Sequence, residues 1–235
     1  GWRRAETLRV EVLNLDRRPD RWHELERGLL ERAPQLRERC RRRPAVDGLA
    51  LARTPEVERL FAHNDFGWRR SVIGCALSHL DLWREVAAGR DPVLDLEDDV
   101  TVAEGGWGQV VEGLGLLETR HPGFDLAFFG FAPWPGRPHR ARPAVGGPLR
   151  VQPLPWGEYQ GGSWSYLISP RGAAHLVGVA ESDGMRWAVD EFIRRAGESL
   201  EVLEVCPHPL TAPVAGGAHL VDSDIQYDHT TVGGP

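Results

Sequence analysis

The sequence predicts a single α/β domain, and three observations carry that reading. The 235 residues are 41% hydrophobic and 26% charged, enough to bury one core of the size that α/β domains commonly reach. Strand and helix patterns alternate from the start: Leu8, Val10, Val12, Leu13 and Leu15 form a strand, Asp16 to Asp20 a turn, and Trp22, Leu25 and Leu29 one helical face running to about Ala33-Pro34. The third observation is the stretch Pro92 to Val100, in which Pro92 suits a strand's first position, Val93, Leu94 and Leu96 supply an apolar body, and Glu97, Asp98 and Asp99 close it.

The remaining elements follow in order. Ala45-Val46-Asp47-Gly48 reads as a second short strand closing in a turn, and Asn64-Asp65-Phe66-Gly67 as loop. Ser71 to Ala88 is the clearest helix: Ser71 can cap it, Val72, Ala76, Leu80, Trp83 and Ala87 form its stripe, and Gly89 can end it. Ser78 and His79 sit in its middle, where a satisfied histidine is the default. A helix over Gln109 to Glu118 and a buried strand over Phe124 to Gly130 come next. The stretch Phe131 to Gly162, rich in Pro, Gly and Arg with Trp134, Trp156 and Tyr159 among them, is long enough to be a lid or binding loop. Tyr166-Leu167-Ile168 resumes strand character, and Ser169-Pro170 opens a helix. Another helix spans Trp187 to Ala196, with Asp190 and Glu191 near its start, where the helix dipole alone would favour them. Leu200 to Val205 is the last strand, and the tail beyond Pro207 carries His208, His219, Asp222, Asp224, Asp228 and His229.

Three consecutive acids repel one another unless something positive sits among them. Strand alternation puts Glu97 and Asp99 on one side, an oxygen-donor pair of the kind Mg²⁺ or Mn²⁺ prefers. An exposed acidic turn or a structural calcium loop explains the same residues. Arg17 and Arg21 follow the first strand, where open α/β sheets bind ligands, and their planar forks suit phosphate or a base edge; solvated surface charge is the alternative. Asp47 could accept hydrogen bonds from ribose hydroxyls, or simply belong to an Asp-Gly turn.

Composition excludes several classes. A net charge of −6 gives no general polyanion surface, so nucleic acid is not the expected partner. The chain has no lysine, which removes a Walker phosphate loop, a Schiff base and the haloacid dehalogenase phosphatases. No Gly-x-Gly-x-x-Gly follows the first strand, so nicotinamide cofactors are not expected. No stretch approaches ~20 uninterrupted apolar residues. The N-terminus has no signal-peptide core, and Cys40, Cys75 and Cys206 are odd in number and widely spaced. The expectation is a soluble chain in a reducing, cytoplasmic compartment. The arginines from Arg37 to Arg43 read as a solvated helix end, with a peripheral contact to the inner membrane's surface as the sharper alternative.

Four blocks together resemble one family: Leu13 to Arg21 (LNLDRRPDR), Ile73 to His79 (IGCALSH), Leu96 to Val100 (LEDDV) and Tyr166 to Ala173 (YLISPRGA). They stand in the order seen in family 25 glycosyltransferases, which include bacterial lipooligosaccharide galactosyltransferases and animal procollagen galactosyltransferases. Ala45 to Gly48 and Asp222-Ser223-Asp224-Ile225 add two weaker matches. The resemblance implies a Rossmann-like GT-A fold, one domain with a mixed central sheet, its nucleotide-binding half at about 1–105 and its acceptor half at about 106–235. It further implies Mn²⁺ or Mg²⁺, a UDP-sugar donor (UDP-galactose, then UDP-glucose) and inverting transfer to a hydroxyl of a glycan or a protein side chain. Its site residues would be Glu97, Asp98, Asp99 and His219 at the metal, Asn14, Arg17, Arg21, Asp47, Ser78 and His79 at the donor, and Asp190 as general base, with Glu191 as its fallback. One departure stands out: Asp95 replaces the apolar residue usual before the Glu-Asp-Asp block, placing an acid inside a buried strand. If it distorts the metal site, the alternative is a non-catalytic sugar- or nucleotide-binding domain.

Overall fold

A computed structural model describes residues 8–31, 34, 39–102, 105–133, 148–212, 224–225 and 229–233. The architecture is a mixed seven-stranded sheet with helices on both faces, an α/β fold as the alternation of patterns predicts. Strand β1 (Arg9–Asn14) lies between β2 (Cys40–Pro44) and β3 (Val93–Glu97), parallel to both. The sheet continues through β9 (Ser165–Ile168), β5 (Leu126–Phe128), β10 (Val202–Cys206) and β7 (Arg150–Pro153). Of these, β9 runs antiparallel to β3 and β5, and β7 antiparallel to β10. Short two-residue and three-residue pairings, β4 (Thr101–Val102) with β11 (Leu210–Thr211) and β6 (Ala132–Pro133) with β8 (Tyr159–Gly161), flank it.

Alternation along the strands divides the core into two layers. Val10, Val12, Leu94, Leu96 and Leu167 face α1 (Pro19–Leu25) and α4 (Gly106–Arg120). Val93, Leu126, Phe128, Tyr166 and Ile168 face α3 (Arg70–Ala88), α5 (Pro170–Asp183) and α6 (Val189–Ala196), with α2 (Pro55–Phe61) packed into the same layer. Asp95 shares the second face, so an acid points from mid-strand at the underside of α3. Helix α3 presents Ile73, Ala76, Leu80 and Trp83 to that face, all fully buried. Trp83 stacks on Phe192 of α6 with ring centroids 5.9 Å apart. Burying each such side chain contributes ~1.5–3 kcal/mol.

Several local expectations are corrected. The strand expected at Ala45 to Gly48 lies earlier, at β2, and Asp47 instead caps a 3₁₀ turn, Gly48–Ala50, by accepting from the Leu49 amide at 3.0 Å. The solvated helix end expected over Arg37 to Arg43 is, from residue 40 onward, that edge strand; 35–38 lie outside the described residues. Arg41 is exposed, whereas the half-buried Arg42 bonds Asn14 and Asp16, and Arg43 pairs with Glu85 at 2.5 Å. The first helix continues past Leu25 as a π turn, Glu26–Leu30, and the long stretch after Phe131 contains β7, which the sheet takes as its last strand. Trp134 lies outside the described residues, whereas Tyr159 is buried against Phe128 and Phe131 as packing. No helix among the described residues is long and apolar enough to cross a membrane.

Candidate active site

The parallel strands β1, β2 and β3 all end at one edge of the sheet, where their terminal residues and following turns open into a cavity of about 920 Å³. This is the edge at which open α/β sheets bind ligands. Glu97 is the last residue of β3, and Asp98 and Asp99 make the turn after it. All three line the cavity.

Each acid of the block has a different environment. Asp98 is buried and held from two sides, by Asn14 Nδ2 at 2.7 Å on one oxygen and Arg21 at 3.1 Å on the other. Burial raises its pKa against the pull of those two partners. Glu97 accepts from the Ser163 hydroxyl at 2.8 Å and lies 3.7 Å from His79 Nε2. Burial would raise its pKa, but His79, Ser163 and Arg21 together hold it below the ordinary carboxylate value. Asp99 has weaker support, from Arg21 and its own backbone amide. Its Oδ1 is buried without a hydrogen-bond partner, and burial, then repulsion from Glu97 and Asp98, pushes its pKa from 3.8 up to about 7. An orphaned carboxylate oxygen beside a second carboxylate is a place a cation would satisfy.

The neighbouring wall is built by close backbone approach. Gly74 of α3 packs so tightly on the 46–48 segment that a Cβ there would lie 2.6 Å from the Val46 carbonyl oxygen. Ser78, one turn on, donates to the Gly74 carbonyl and accepts from the Val46 amide at 2.8 Å, so its hydroxyl ties the Asp47 segment to the helix. Arg17 bridges Asp47 at 3.0 Å and Asp224 at 2.6 Å, and Arg18 also reaches Asp224 at 2.6 Å. Beyond the acid block runs the strip Gly161-Gly162-Ser163. Ser163 serves Glu97, while the Gly162 amide donates to Asp190 Oδ2 at 3.4 Å. Gly161 leaves room for that carboxylate, since a Cβ there would come within 2.4 Å of Asp190 Oδ2. Asp190 also accepts from the Glu191 amide at 2.8 Å, and burial raises its pKa. A carboxyl with a raised pKa, lining a cavity, is suited to proton transfer.

Under the block, His79 and Asp95 meet in the core. Both are fully buried, with His79 Nδ1 2.8 Å from Asp95 Oδ2 and 2.9 Å from the Tyr166 hydroxyl, which in turn accepts from Trp83 Nε1 at 2.8 Å. Burial would lower the imidazole's pKa, but Tyr166 and Asp95 hold it well above the ordinary value. Asp95 therefore lies behind Glu97 as the partner of His79.

Over 234 residues, 97% of the chain and 69% of the relative, the sequence is 28% identical to a protein of Acanthamoeba polyphaga mimivirus that carries a provisional glycosyltransferase name. It is 29% identical over 198 residues to procollagen galactosyltransferase 2 of Homo sapiens, and 29% over 197 residues to its Mus musculus counterpart. The chain is thus similar to proteins named as glycosyltransferases. The matches cover 78% of the chain but 29% of each procollagen galactosyltransferase, so the chain spans under a third of those relatives. No protein-family model matches it.

The residues singled out in the sequence take different places around the cavity. Arg17, Arg21, Asp47, Ser78, His79 and Asp190 join the acid block in lining the cavity. Asn14 does not line it and acts through Asp98, its Oδ1 accepting from Arg42 at 2.7 Å while its amide holds the acid. Glu191 faces its own helix, bound by Arg194 and Arg195 at 2.6 Å, which lowers its pKa. His219 and Asp222 lie outside the described residues. Arg18, Ser163 and Cys75, the last lining the cavity and bearing on His79, were given no role. Arg18 and Asp224 stand inside quoted blocks and could have been found there, whereas Ser163 reaches Glu97 only because antiparallel β9 starts where β3 ends.

Proposed function

We propose that the chain is a metal-dependent, inverting glycosyltransferase of GT-A fold and family 25 type, moving galactose, or next glucose, from a UDP-sugar to an acceptor hydroxyl. The observation that carries this reading is the orphaned Asp99 oxygen beside Glu97, at the ligand-binding end of a parallel strand, in a chain related to proteins named for galactosyl transfer. Among the described residues no group of three or more His, Cys, Asp or Glu is set to hold a metal. Two carboxylates nonetheless fit a cation that takes its remaining oxygens from a substrate diphosphate and water. Asp99 and Glu97 would hold it, and when bound it supplies charge neutralisation for the departing diphosphate.

The chain's own groups supply the rest. Arg17 and Arg21 offer phosphate-binding forks, with Asp47 beside them for the ribose. Asp190, with its pKa raised by burial, takes the proton from the acceptor hydroxyl as that oxygen attacks. The acceptor is a hydroxyl on a glycan or on a protein side chain, the latter being what the procollagen relatives' name describes. The test is a panel of UDP-sugars scored for UDP release. UDP-galactose should be cleaved fastest, EDTA should abolish release, and Mn²⁺ should restore it better than Ca²⁺. Absence of release from every UDP-sugar, in a preparation shown to bind Mn²⁺, refutes the assignment.

A further inference from the structure

The buried pair beneath the acid block has a geometry that packing does not require. Asp95 lies in the middle of β3, two residues before Glu97 and on the same face of the strand, opposite Tyr166 in the register. It is fully buried, and a carboxylate there costs several kcal/mol unless a partner offsets it. The partner is His79, also fully buried, whose Nδ1 approaches Asp95 Oδ2 at 2.8 Å. Carboxylates only accept, so a ring set between Asp95 and Glu97 carries a proton on both nitrogens, and the Nδ1 donation to Asp95 Oδ2 fixes its plane. Trp83 and Tyr166 close the ring in from the sides. The other nitrogen, Nε2, is buried with no hydrogen-bond partner at ordinary distance; Glu97 Oε1 lies 3.7 Å from it, and the Cys75 thiol one turn back on α3 also bears on the ring. A buried ring nitrogen is seldom left unsatisfied. Here the missing bond points at a carboxylate of the block, whose Oε1 is also held by Ser163 Oγ at 2.8 Å.

We propose that Asp95 and His79 are positioning residues for Glu97, the Asp95 carboxylate fixing the imidazole and the imidazole, with Ser163, fixing Glu97 so that it faces a divalent cation. This rests on the reading of the acid block as a cation site. Asp95 is thereby a component of the site, in the way that groups behind metal ligands orient them and contribute 10–100-fold to metal affinity.

The test measures Mn²⁺ binding without donor, by the free-ion electron paramagnetic resonance signal, on the full chain. In parallel, UDP binding is measured by calorimetry in EDTA, and folding by near-ultraviolet circular dichroism. Asp95→Asn and His79→Gln should each weaken Mn²⁺ binding ~10-fold or more, and metal-free UDP affinity should stay within about twofold. Ser163→Ala, outside the buried pair, should weaken Mn²⁺ in the same direction and decides the matter if the core variants do not fold. A purely structural pair would leave Mn²⁺ affinity unchanged in folded variants, or lower UDP and Mn²⁺ binding together; either result overturns the proposal. Failure of the unsubstituted protein to bind Mn²⁺ would instead overturn the cation site itself.

Discussion

Replacing Asp99 by Asn should make the metal-free protein more stable while removing its activity. Folding carries this carboxyl from a pKa of 3.8 to about 7, first through burial and then through Glu97 and Asp98. An acid whose pKa rises on folding holds its proton more tightly in the native state, so native stability falls as pH climbs from about 4 through 7 and is lowest above that. The gap of about three pH units, at ~1.4 kcal/mol each, sets a ceiling of ~4 kcal/mol at pH 8.5. Water entering the cavity reduces it, and ~2–4 kcal/mol is the working range. For a chain of this size that corresponds to a Tm higher by ~5–15 °C for Asp99→Asn at pH 8.5 in EDTA. At pH 5, where Asp99 keeps its proton in the fold, the difference should shrink to a few degrees at most. Saturating Mn²⁺ should raise the Tm of the unsubstituted protein but not that of the variant, since a ligand stabilises only the state it binds. Thermal unfolding followed by circular dichroism at the two pH values, with EDTA or Mn²⁺, reads all of this. A variant that is no more stable at pH 8.5 than the unsubstituted protein would refute the picture of Asp99 as an uncompensated buried charge. So would a gap independent of pH.

Three further outcomes follow from the same cavity. Asp190→Asn should lower kcat by ~10² to 10⁴ while leaving UDP and Mn²⁺ binding intact; a small loss of kcat with a lowered Tm would return Asp190 to a purely helix-capping role. Arg17→Ala and Asp47→Ala should each weaken UDP binding by ~1–3 kcal/mol, the usual effect of losing a charge-assisted hydrogen bond, as measured by calorimetry. Gly74→Ala should destabilise the protein by ~1–3 kcal/mol and weaken UDP binding, because α3 must back away from the Val46 carbonyl and take the Asp47 segment with it; an unchanged midpoint in urea would show that the approach relaxes freely.

What could be read from the sequence and what could not separate along one physical line. Elements whose identity lies in periodicity, such as the stripe of α3 and the apolar body of β3, are visible because each is specified by its own residues. The edge strand Cys40–Pro44 is not, because its Cys-Arg-Arg-Arg-Pro sequence carries no apolar alternation and takes its strand form from pairing with β1. The site divides in the same way. The acid block announces itself as a local pattern of like charges, but the groups that set its properties come from 18 to 84 residues away. His79 reaches Glu97 from α3, Ser163 from the segment just before β9, and Asn14 reaches Asp98 from the end of β1. Asp95 shows the cost of judging a residue within its own strand alone. An acid at that position conflicts with the strand's apolar pattern and reads as damage, and only the register that brings Tyr166 opposite, with His79 above, turns it into half of a buried pair. A residue that breaks a local rule yet finds a specific partner in three dimensions, as Asp95 Oδ2 does while its Oδ1 stays unpartnered, is where functional constraint is expected to override packing. That is why Asp95→Asn, rather than any change within the Glu97 to Asp99 turn, is the substitution that separates a positioning role from a merely structural one.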